Sequence, residues 1–217
     1  MPLPRLPGPL PVEVLLMRHG ETVWNAEGRL QGAFDSPLTE RGRRQAAAMG
    51  RILAALRVSP RTHDALSSPQ GRAQQTARLA LGRTGLVARP EPRLREIGMG
   101  EWAGLTRTEI ATRWPAPPDE GILTFYARCP GGEDLSAVAE RAADLLLSLR
   151  RPAVLVTHGL TLRLLAALAL GRDWDAAEAL CLPQGRVLRL RDGRADIPEP
   201  PRTSSDRTRL ELGLKGL

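Results

Sequence analysis

The sequence predicts an α/β fold, a three-layer sandwich in which helices flank a mostly parallel central sheet. Two apolar runs, residues 12–17 and 153–157, have the length of buried strands. They alternate with segments whose apolar side chains recur every three or four residues, as in amphipathic helices. This alternation is typical of parallel sheets covered by helices. Both strands lead directly into His-Gly, at the strand end where ligands bind in this fold class.

The first predicted helix begins near Thr39. Threonine is a good N-cap residue, and Glu40 follows it in the first turn. Apolar side chains then recur on one helix face, at positions 46, 49, 53 and 56. Residues 64–67 predict a short strand.

A second helix is predicted from Ser68 to about residue 83. Ser68 matches an N-cap and Pro69 matches the first helical position. Residues 86–88 predict another short strand. Beyond residue 88 the patterns of helices and strands become weaker, and a weak helical stretch lies near 106–113. We expect about 105–130 to form a lid, an excursion that covers a site rather than a separate domain.

Two helices are predicted around the second buried strand. Glycines 131 and 132 precede apolar side chains spaced by three and four residues between 135 and 149. The apolar stretch 160–170 predicts the helix that follows the strand. Residues 186–191 predict an exposed edge strand, which could pair with a second copy in a homodimer.

Length and charge limit the possible classes of protein. The 217 residues suit one large domain, expected at 12–191, between a proline-rich segment at 1–11 and an irregular tail at 192–217. The net charge of +7 can indicate nucleic acid, an anionic surface or a phosphorylated substrate. Four tryptophans, two phenylalanines and one tyrosine offer little base stacking, so nucleic acid is not an expected partner.

Cysteine usage and hydropathy indicate a cytoplasmic protein. Cys129 and Cys181 form no CxxC pattern, which disfavours a disulfide framework or a zinc knuckle and fits a reducing compartment. The N-terminus lacks the apolar centre of a signal peptide. The stretch 160–170 contains Arg163 and is shorter than the roughly 20 residues that span a bilayer, so we expect no membrane association.

The segment after the first strand carries side chains suited to phosphate. His19 is held at the strand end, and the next residue, Gly20, permits a tight turn and close approach of a ligand. Arg18 offers a fork of donors that fits phosphate oxygens. A polar, glycine-bearing loop continues the segment, with candidate contacts at Asn25, Arg29, Gln31 and Gly32.

Three later segments add to this candidate site. Arg72 lies in the first turn of a predicted helix, where backbone amides attract anions. His158 repeats the His-Gly arrangement after the second strand. Glu96 and Glu101 are both candidates for a general acid, and their spacing does not choose between them. His63 lacks such a frame and is expected to be structural or exposed.

These motifs resemble the histidine phosphatase superfamily, the phosphoglycerate-mutase-like enzymes. RHGET followed by WN and QG is highly specific, and SSPxxRAxQTA and THG are specific in combination. The matching segments run in family order over most of residues 12–160: LLMRHGETVWNAEGRLQGAFDSPLTERGRRQA, ALSSPQGRAQQTA, LREIGMGEWAGLT, PGGED and VLVTHG.

The resemblance implies a phosphoglycerate-mutase-like fold and a set of roles at the site. His19 would be the nucleophile that forms a phosphohistidine, and Glu96 the general acid and base. Arg18, Arg72 and His158 would bind the transferred phosphoryl group, without a cofactor or a metal. Substrate contacts would come from Thr22, Asn25, Gln31, Gly32 and Gly159.

A phosphomonoester hydrolase is the expected activity, and a phosphoglycerate mutase is the alternative. The mutases grip the acid group of their substrate with an adjacent arginine pair located between the glutamate and the second histidine. The excursion of this chain carries only separated arginines, and its EIGMGEWAGLT segment resembles the phosphatases more closely. These arginines are Arg107, Arg113 and Arg128.

Two alternatives come from other classes of protein. A non-catalytic binding module with this fold is disfavoured by the intact set of site residues. A zinc hydrolase would use His19, His158 and Glu96 as ligands, and a chelator separates it from phosphohistidine chemistry.

The excursion is expected to select the small-molecule phosphomonoester. Most of its apolar residues are expected to pack rather than line a wall: Leu105, Ile110, Trp114, Ile122, Leu123, Phe125 and Tyr126.

Overall fold

One six-stranded sheet organises the computed structural model, which describes residues 2–199. In chain order the strands are β1 (Val14–Arg18), β2 (Asp64–Ser67), β3 (Arg89–Pro90), β4 (Ala153–Thr157), β5 (Val187–Arg191) and β6 (Arg194–Asp196). Their order in the sheet is β3-β2-β4-β1-β5-β6. The first four are mutually parallel, whereas β5 is antiparallel to β1 and β6 is antiparallel to β5. The predicted mostly parallel sheet is confirmed.

Eight α-helices connect or follow these strands within residues 2–199. They are α1 (Val23–Ala26), α2 (Glu40–Ala55), α3 (Gly71–Leu81), α4 (Arg107–Arg113), α5 (Ile122–Ala127), α6 (Leu135–Ser148), α7 (Gly159–Ala169) and α8 (Trp174–Ala179). Two short 3₁₀ turns lie at Pro92–Leu94 and Gly100–Trp102. No helix in the described part of the chain is long and apolar enough to cross a membrane.

Alternating side chains of the strands pack against the helix layers on the two faces of the sheet. Leu15 and Met17 of β1 face a core formed with the buried side chains of α2 and α3. Val14 and Leu16 face the opposite core, to which α6 and α7 contribute most. Because successive strand side chains point to opposite faces, a strand buried on both faces is apolar throughout. The predicted three-layer sandwich is therefore confirmed.

The start of α3 differs from the prediction. The helix begins at Gly71, and its N-cap is Gln70, whose backbone is extended with φ −68° and ψ 138°. The Ser68 hydroxyl lies 2.7 Å from Nε2 of His158 and therefore serves the candidate site instead of capping the helix. The residues around Ser68 and Pro69 match the pattern of a helix start, but the Ser68 side chain contacts a histidine that is distant in the sequence.

The sheet edges also differ from the prediction. Residues 186–191 are not an edge strand, because β5 pairs with β1 on one side and with β6 on the other. The segment after Asp192 was expected to be irregular, but Arg194–Asp196 forms the β6 hairpin strand after a turn in which Asp192 has φ 51°. The remainder of the predicted tail, from residue 200, lies outside the described residues. At the other edge, the predicted strand 86–88 is displaced to β3.

The segment before β1 and the excursion after β3 both contribute to the core. Leu3 and Leu10 are buried in the same cluster as α6 and α7, so the proline-rich segment packs against the unit expected to begin at residue 12. Within the excursion, Ile110, Leu123 and Phe125 are buried, which confirms the packing expected of them. The half-buried residues Leu105, Trp114, Ile122 and Tyr126 pack against the same cluster.

Candidate active site

The two candidate histidines meet where two neighbouring parallel strands end. Arg18 of β1 is in register with Thr157 of β4, so His19 and His158 are adjacent at the carboxyl edge of the sheet. The His19 backbone N–H donates to the Thr157 carbonyl over 2.9 Å. The ring centroids of the histidines lie 5.1 Å apart. Both rings are buried, with 3% of His19 and none of His158 exposed.

The hydrogen bonds of His19 define its tautomer. Nδ1 lies 2.8 Å from the Gly20 carbonyl oxygen, which can only accept, so Nδ1 carries the proton. Gly20 is itself held by Thr76, whose hydroxyl accepts the Gly20 N–H over 3.0 Å. In the neutral ring this leaves Nε2 unprotonated. Burial, followed by the charges of Arg18 and Arg72, holds the His19 pKa well below its ordinary value of 6.5, which favours the neutral nucleophilic form at pH 7.

Arg72 presents one edge of its guanidinium to the site. Nη1 donates to the Phe34 carbonyl over 2.6 Å and to Oδ1 of Asp35 over 2.9 Å, and Nη2 donates to the Gly32 carbonyl over 3.0 Å. A guanidinium has five N–H donors, so Nε–H and one Nη2–H remain available. Nε is buried and has no partner among the described residues. Burial lowers the Arg72 pKa, while Glu96 and Asp35 act in the opposite direction.

Arg18 and His158 add two further buried nitrogens without a partner. Nε of Arg18 and Nδ1 of His158 form no hydrogen bond within the described part of the chain. Gly159 packs directly against the Arg18 guanidinium, since a Cβ there would lie 3.4 Å from its central carbon. Burial is the main cause that holds the His158 pKa well below 6.5, and the Arg72 charge adds to it. Buried polar groups are normally paired, so these atoms mark a site for a ligand.

We expect the two histidines to make folding stability depend on pH. Their pKa values are well below 6.5 in the folded protein, whereas the unfolded chain titrates near that value. The unfolded state therefore binds more protons below pH 6.5, and the free energy of unfolding falls as the pH falls. For each histidine the expected loss between pH 6.5 and 5.5 is about 1 kcal/mol.

Urea unfolding at the two pH values measures this loss. His19→Asn cannot be protonated and should lose about 1 kcal/mol less than the unaltered protein over the same interval. An equal pH dependence in the two proteins would contradict the neutral, buried state of His19.

Glu96 is held at the N-terminus of α7, beside the histidine that precedes this helix. Its Oε2 accepts the Leu160 N–H over 3.3 Å, and its Oε1 accepts both the N–H and the hydroxyl of Thr161 over 3.2 Å each. The Thr161 hydroxyl also lies 2.8 Å from the Arg95 carbonyl, which ties the loop of Glu96 to the helix. Glu101, the other candidate, is exposed in the turn Gly100–Trp102. The structure thus distinguishes two carboxylates that their spacing in the sequence leaves equivalent.

The loop after His19 supplies the remaining predicted contacts. Thr22 and Asn25 form a reciprocal capping box at the start of α1. Oδ1 of Asn25 accepts both the Thr22 N–H over 3.2 Å and the Gln184 amide over 3.1 Å, so its own N–H donors remain available. Gln31 lies 2.8 Å from the Thr22 hydroxyl through its amide nitrogen. Gly32 has φ +51°, and its carbonyl accepts from Arg72.

Most of these residues line one small cavity of about 80 Å³. Its lining residues are Arg18, His19, Asn25, Arg29, Leu30, Gln31, Arg72, Glu96, Met99 and Tyr126. Four further predicted residues each contact a lining residue: His158, Thr22, Gly32 and Gly159. A larger depression of about 330 Å³, between the proline-rich segment and α6, is lined by no titratable side chain. Of these two cavities, the smaller one alone is lined by titratable side chains.

Two residues at the site were given no role there from the sequence. Gln70 connects three parts of the site: its amide nitrogen donates to the Gly32 carbonyl over 2.6 Å, and its amide oxygen accepts the Glu96 N–H over 2.8 Å and lies 3.2 Å from the Ser68 hydroxyl. Tyr126 of α5 reaches the cavity from the excursion, and burial raises its pKa to about 12. Both contacts join residues far apart in sequence, so no local pattern could have revealed them.

The third histidine, His63, lies apart from the site. His63 is buried and lies 3.3 Å from Glu13 and 2.9 Å from the Thr62 hydroxyl, outside the cavity, as expected for a structural histidine. Within residues 2–199, no three His, Cys, Asp or Glu side chains converge closely enough to hold a metal ion.

Comparisons with known proteins agree on one group. A family model described as "Histidine phosphatase superfamily (branch 1)" matches residues 14–196. A relative named "Probable phosphoglycerate mutase GpmB", from Yersinia pestis (strain Pestoides F), is 39% identical over 203 residues, covering 88% of this chain and 87% of its own length.

Solved structures with the same fold include enzymes named as phosphatases. The mycobacterial glucosyl-3-phosphoglycerate phosphatase Rv2419c, in complex with VO3, matches with a TM-score of 0.72 and 32% identity. The match covers 87% of this chain and 99% of that one. The protein TTHB049 from Thermus thermophilus matches with a TM-score of 0.63 and 35% identity, over 87% of this chain and 99% of its own.

Proposed function

Because this chain belongs to the histidine phosphatase superfamily (branch 1), we propose that it is a metal-independent phosphomonoester hydrolase that acts through a phosphohistidine on His19. The observation that carries the proposal is the set of buried nitrogens without a protein partner: Nε of Arg18, Nε of Arg72 and Nδ1 of His158. They surround the one histidine whose tautomer leaves Nε2 unprotonated. A phosphoryl group supplies the charge and the acceptors for the two guanidinium nitrogens, and Nδ1 of His158 donates to it when Nε2 accepts the Ser68 hydroxyl.

In the first step, Nε2 of His19 attacks the phosphorus in line and forms the N–P bond while the P–O bond to the alcohol breaks. The guanidiniums of Arg18 and Arg72 stabilise the charge on the equatorial oxygens without rearranging, because Asp35, Phe34 and Gly32 already hold Arg72. Protonated Glu96 transfers its proton to the departing alkoxide, so that a neutral alcohol leaves.

In the second step, water attacks the phosphohistidine. Glu96 is now a carboxylate and takes a proton from that water, the N–P bond breaks, and inorganic phosphate forms. His19 returns to the neutral tautomer held by Gly20, and Glu96 is protonated again. The sum is one phosphomonoester and one water converted to one alcohol and one phosphate.

A phosphoglycerate mutase is the second candidate, and the 39% identical relative with that name favours it. A mutase must hold the carboxylate of its substrate in addition to the phosphoryl group, but two arginines other than Arg18 and Arg72 are already paired. Arg29 pairs with Glu27 and Glu109, and Arg128 pairs with Glu120 and stacks over Trp102. Hydrolysis is therefore the activity that these contacts support best.

Phosphate release from a panel of phosphomonoesters in excess EDTA tests the proposal. The panel contains sugar phosphates, nucleoside monophosphates and 3-phosphoglycerate, with its isomerisation monitored. We expect hydrolysis that survives EDTA, is lost in His19→Ala and persists in His63→Ala. His63 is the matched control, because it is a buried histidine outside the cavity.

Each other outcome contradicts the proposal. Activity lost in EDTA and restored by zinc would indicate a metallohydrolase. Isomerisation of 3-phosphoglycerate faster than its hydrolysis would indicate a mutase. Turnover of no phosphomonoester would indicate a binding role.

A further inference from the structure

Asp35 lies beside Arg72, from which it accepts two hydrogen bonds, and it accepts a third from Gly71. Oδ1 accepts Nη1 of Arg72 over 2.9 Å and the Arg72 backbone N–H over 3.2 Å, while Oδ2 accepts the Gly71 N–H over 2.5 Å. One carboxylate therefore holds both the guanidinium and the first turn of α3. Asp35 is not among the cavity-lining residues, and 42% of its side chain is exposed, whereas 1% of the Arg72 side chain is.

The contacts on Arg72 leave a defined pair of donors. Asp35 and the Phe34 carbonyl occupy the two N–H groups of Nη1, and the Gly32 carbonyl occupies one N–H of Nη2. The Nε–H and the second Nη2–H remain, and neighbouring donors of this kind bind two oxygens of one phosphoryl group. The orientation of this edge depends on the acceptors at Nη1, of which Asp35 is the charged one.

We propose that Asp35 is a positioning residue of the active site, which aims the Nε and Nη2 edge of Arg72 at the phosphoryl group. This inference rests on the proposed function. Asp35 does not touch the substrate and acts through Arg72. Its carboxylate also stabilises the start of α3 from a loop more than thirty residues earlier, so the phosphate-binding arginine and its support come from separate segments.

The sign of the effect separates positioning from simple electrostatics. A negative charge near an anion site weakens anion binding, so its removal alone would tighten the binding. If Asp35 orients Arg72, its removal weakens the binding instead. Asp35→Asn is the appropriate variant, because asparagine has nearly the same shape without the charge and keeps an oxygen for the Gly71 N–H.

The probe is orthovanadate, whose dissociation constant is measured by calorimetry and which requires no turnover. We expect Asp35→Asn to raise this constant about tenfold and to lower kcat/KM for a phosphomonoester by about tenfold, the effect of a loss of about 1.4 kcal/mol. In an Arg72→Ala background, the same substitution should change neither quantity more than about twofold, because the side chain through which Asp35 acts is absent.

Asp134→Asn is the matched control. Asp134 caps α6 by accepting the Ser136 N–H over 2.6 Å and is not among the residues that line the cavity. The control should bind orthovanadate like the unaltered protein. Unchanged or tighter binding in Asp35→Asn, or an equal effect in the Arg72→Ala background, would overturn the inference. An unaltered protein that binds orthovanadate but hydrolyses no phosphomonoester would contradict the proposed function while the effect of Asp35 on binding stays measurable.

Discussion

Glu96→Gln should lower kcat for an alkyl phosphomonoester by about 10²- to 10⁴-fold, the usual contribution of a general acid and base. Glutamine keeps an oxygen for the Thr161 N–H and loses only the longer contact with the Leu160 N–H, so the loop should stay in place. It cannot protonate the leaving alkoxide, and it cannot take a proton from water. Both half-reactions therefore slow down when the alcohol is a poor leaving group.

An activated ester separates the two half-reactions. Nitrophenolate departs without a proton, so Glu96→Gln should still form the phosphohistidine from p-nitrophenyl phosphate and then hydrolyse it slowly. Rapid mixing should show a burst of one nitrophenolate per active site, followed by slow turnover, together with an acid-labile phosphoprotein.

Glu101→Gln is the control for this prediction, because Glu101 is a nearby carboxylate that is exposed. It should keep kcat within about twofold, as expected for a residue that contacts neither substrate nor site. An equal loss in Glu101→Gln, or an undiminished kcat in Glu96→Gln with the alkyl ester, would remove Glu96 from the proposed mechanism.

Gly42→Ala should destabilise the protein by about 3 kcal/mol, at the upper end of the usual cost of overpacking. Gly42 lies in the first turn of α2, where the loop after His19 crosses the helix. A Cβ at this position would overlap the Glu21 carbonyl oxygen, and a Cβ at Gly20 would in turn overlap the Gly42 carbonyl oxygen. Backbone atoms cannot turn aside as the end of a side chain can, so the loop itself must move.

The same substitution should lower activity, because the displaced loop contains Gly20, whose carbonyl holds Nδ1 of His19. We expect kcat/KM to fall by about 10²-fold, since a shift of about 1 Å in a reacting group has an effect of that size. Urea unfolding and steady-state kinetics measure the two losses separately. Gly8→Ala is the control, because a Cβ there meets nothing within 4 Å. Retention of native stability in Gly42→Ala would show that the crossing tolerates a side chain.

The sequence determined the elements whose signal is local. The strand predicted at 64–67 matches β2, and the strand at 153–157 matches β4, whose short apolar run identifies a strand buried on both faces. The helix periodicities identified α2, α6 and α7. The two histidines were expected to meet because strand ends of a parallel sheet share one edge, and they lie 5.1 Å apart between ring centroids.

Only the tertiary structure decided which contacts hold these residues in place. Glu96 takes its donors from residues more than sixty positions later, and Asp35 reaches Arg72 across thirty-seven positions. The start of α3 follows the distant contact of Ser68 with His158 rather than the local pattern of an N-cap. The strand β6 forms the edge of the sheet in place of β5. All three of its residues are exposed, so no apolar pattern predicts this strand. A local sequence pattern reports the preference of one segment, whereas these features depend on hydrogen bonds between segments that become neighbours only in the folded chain.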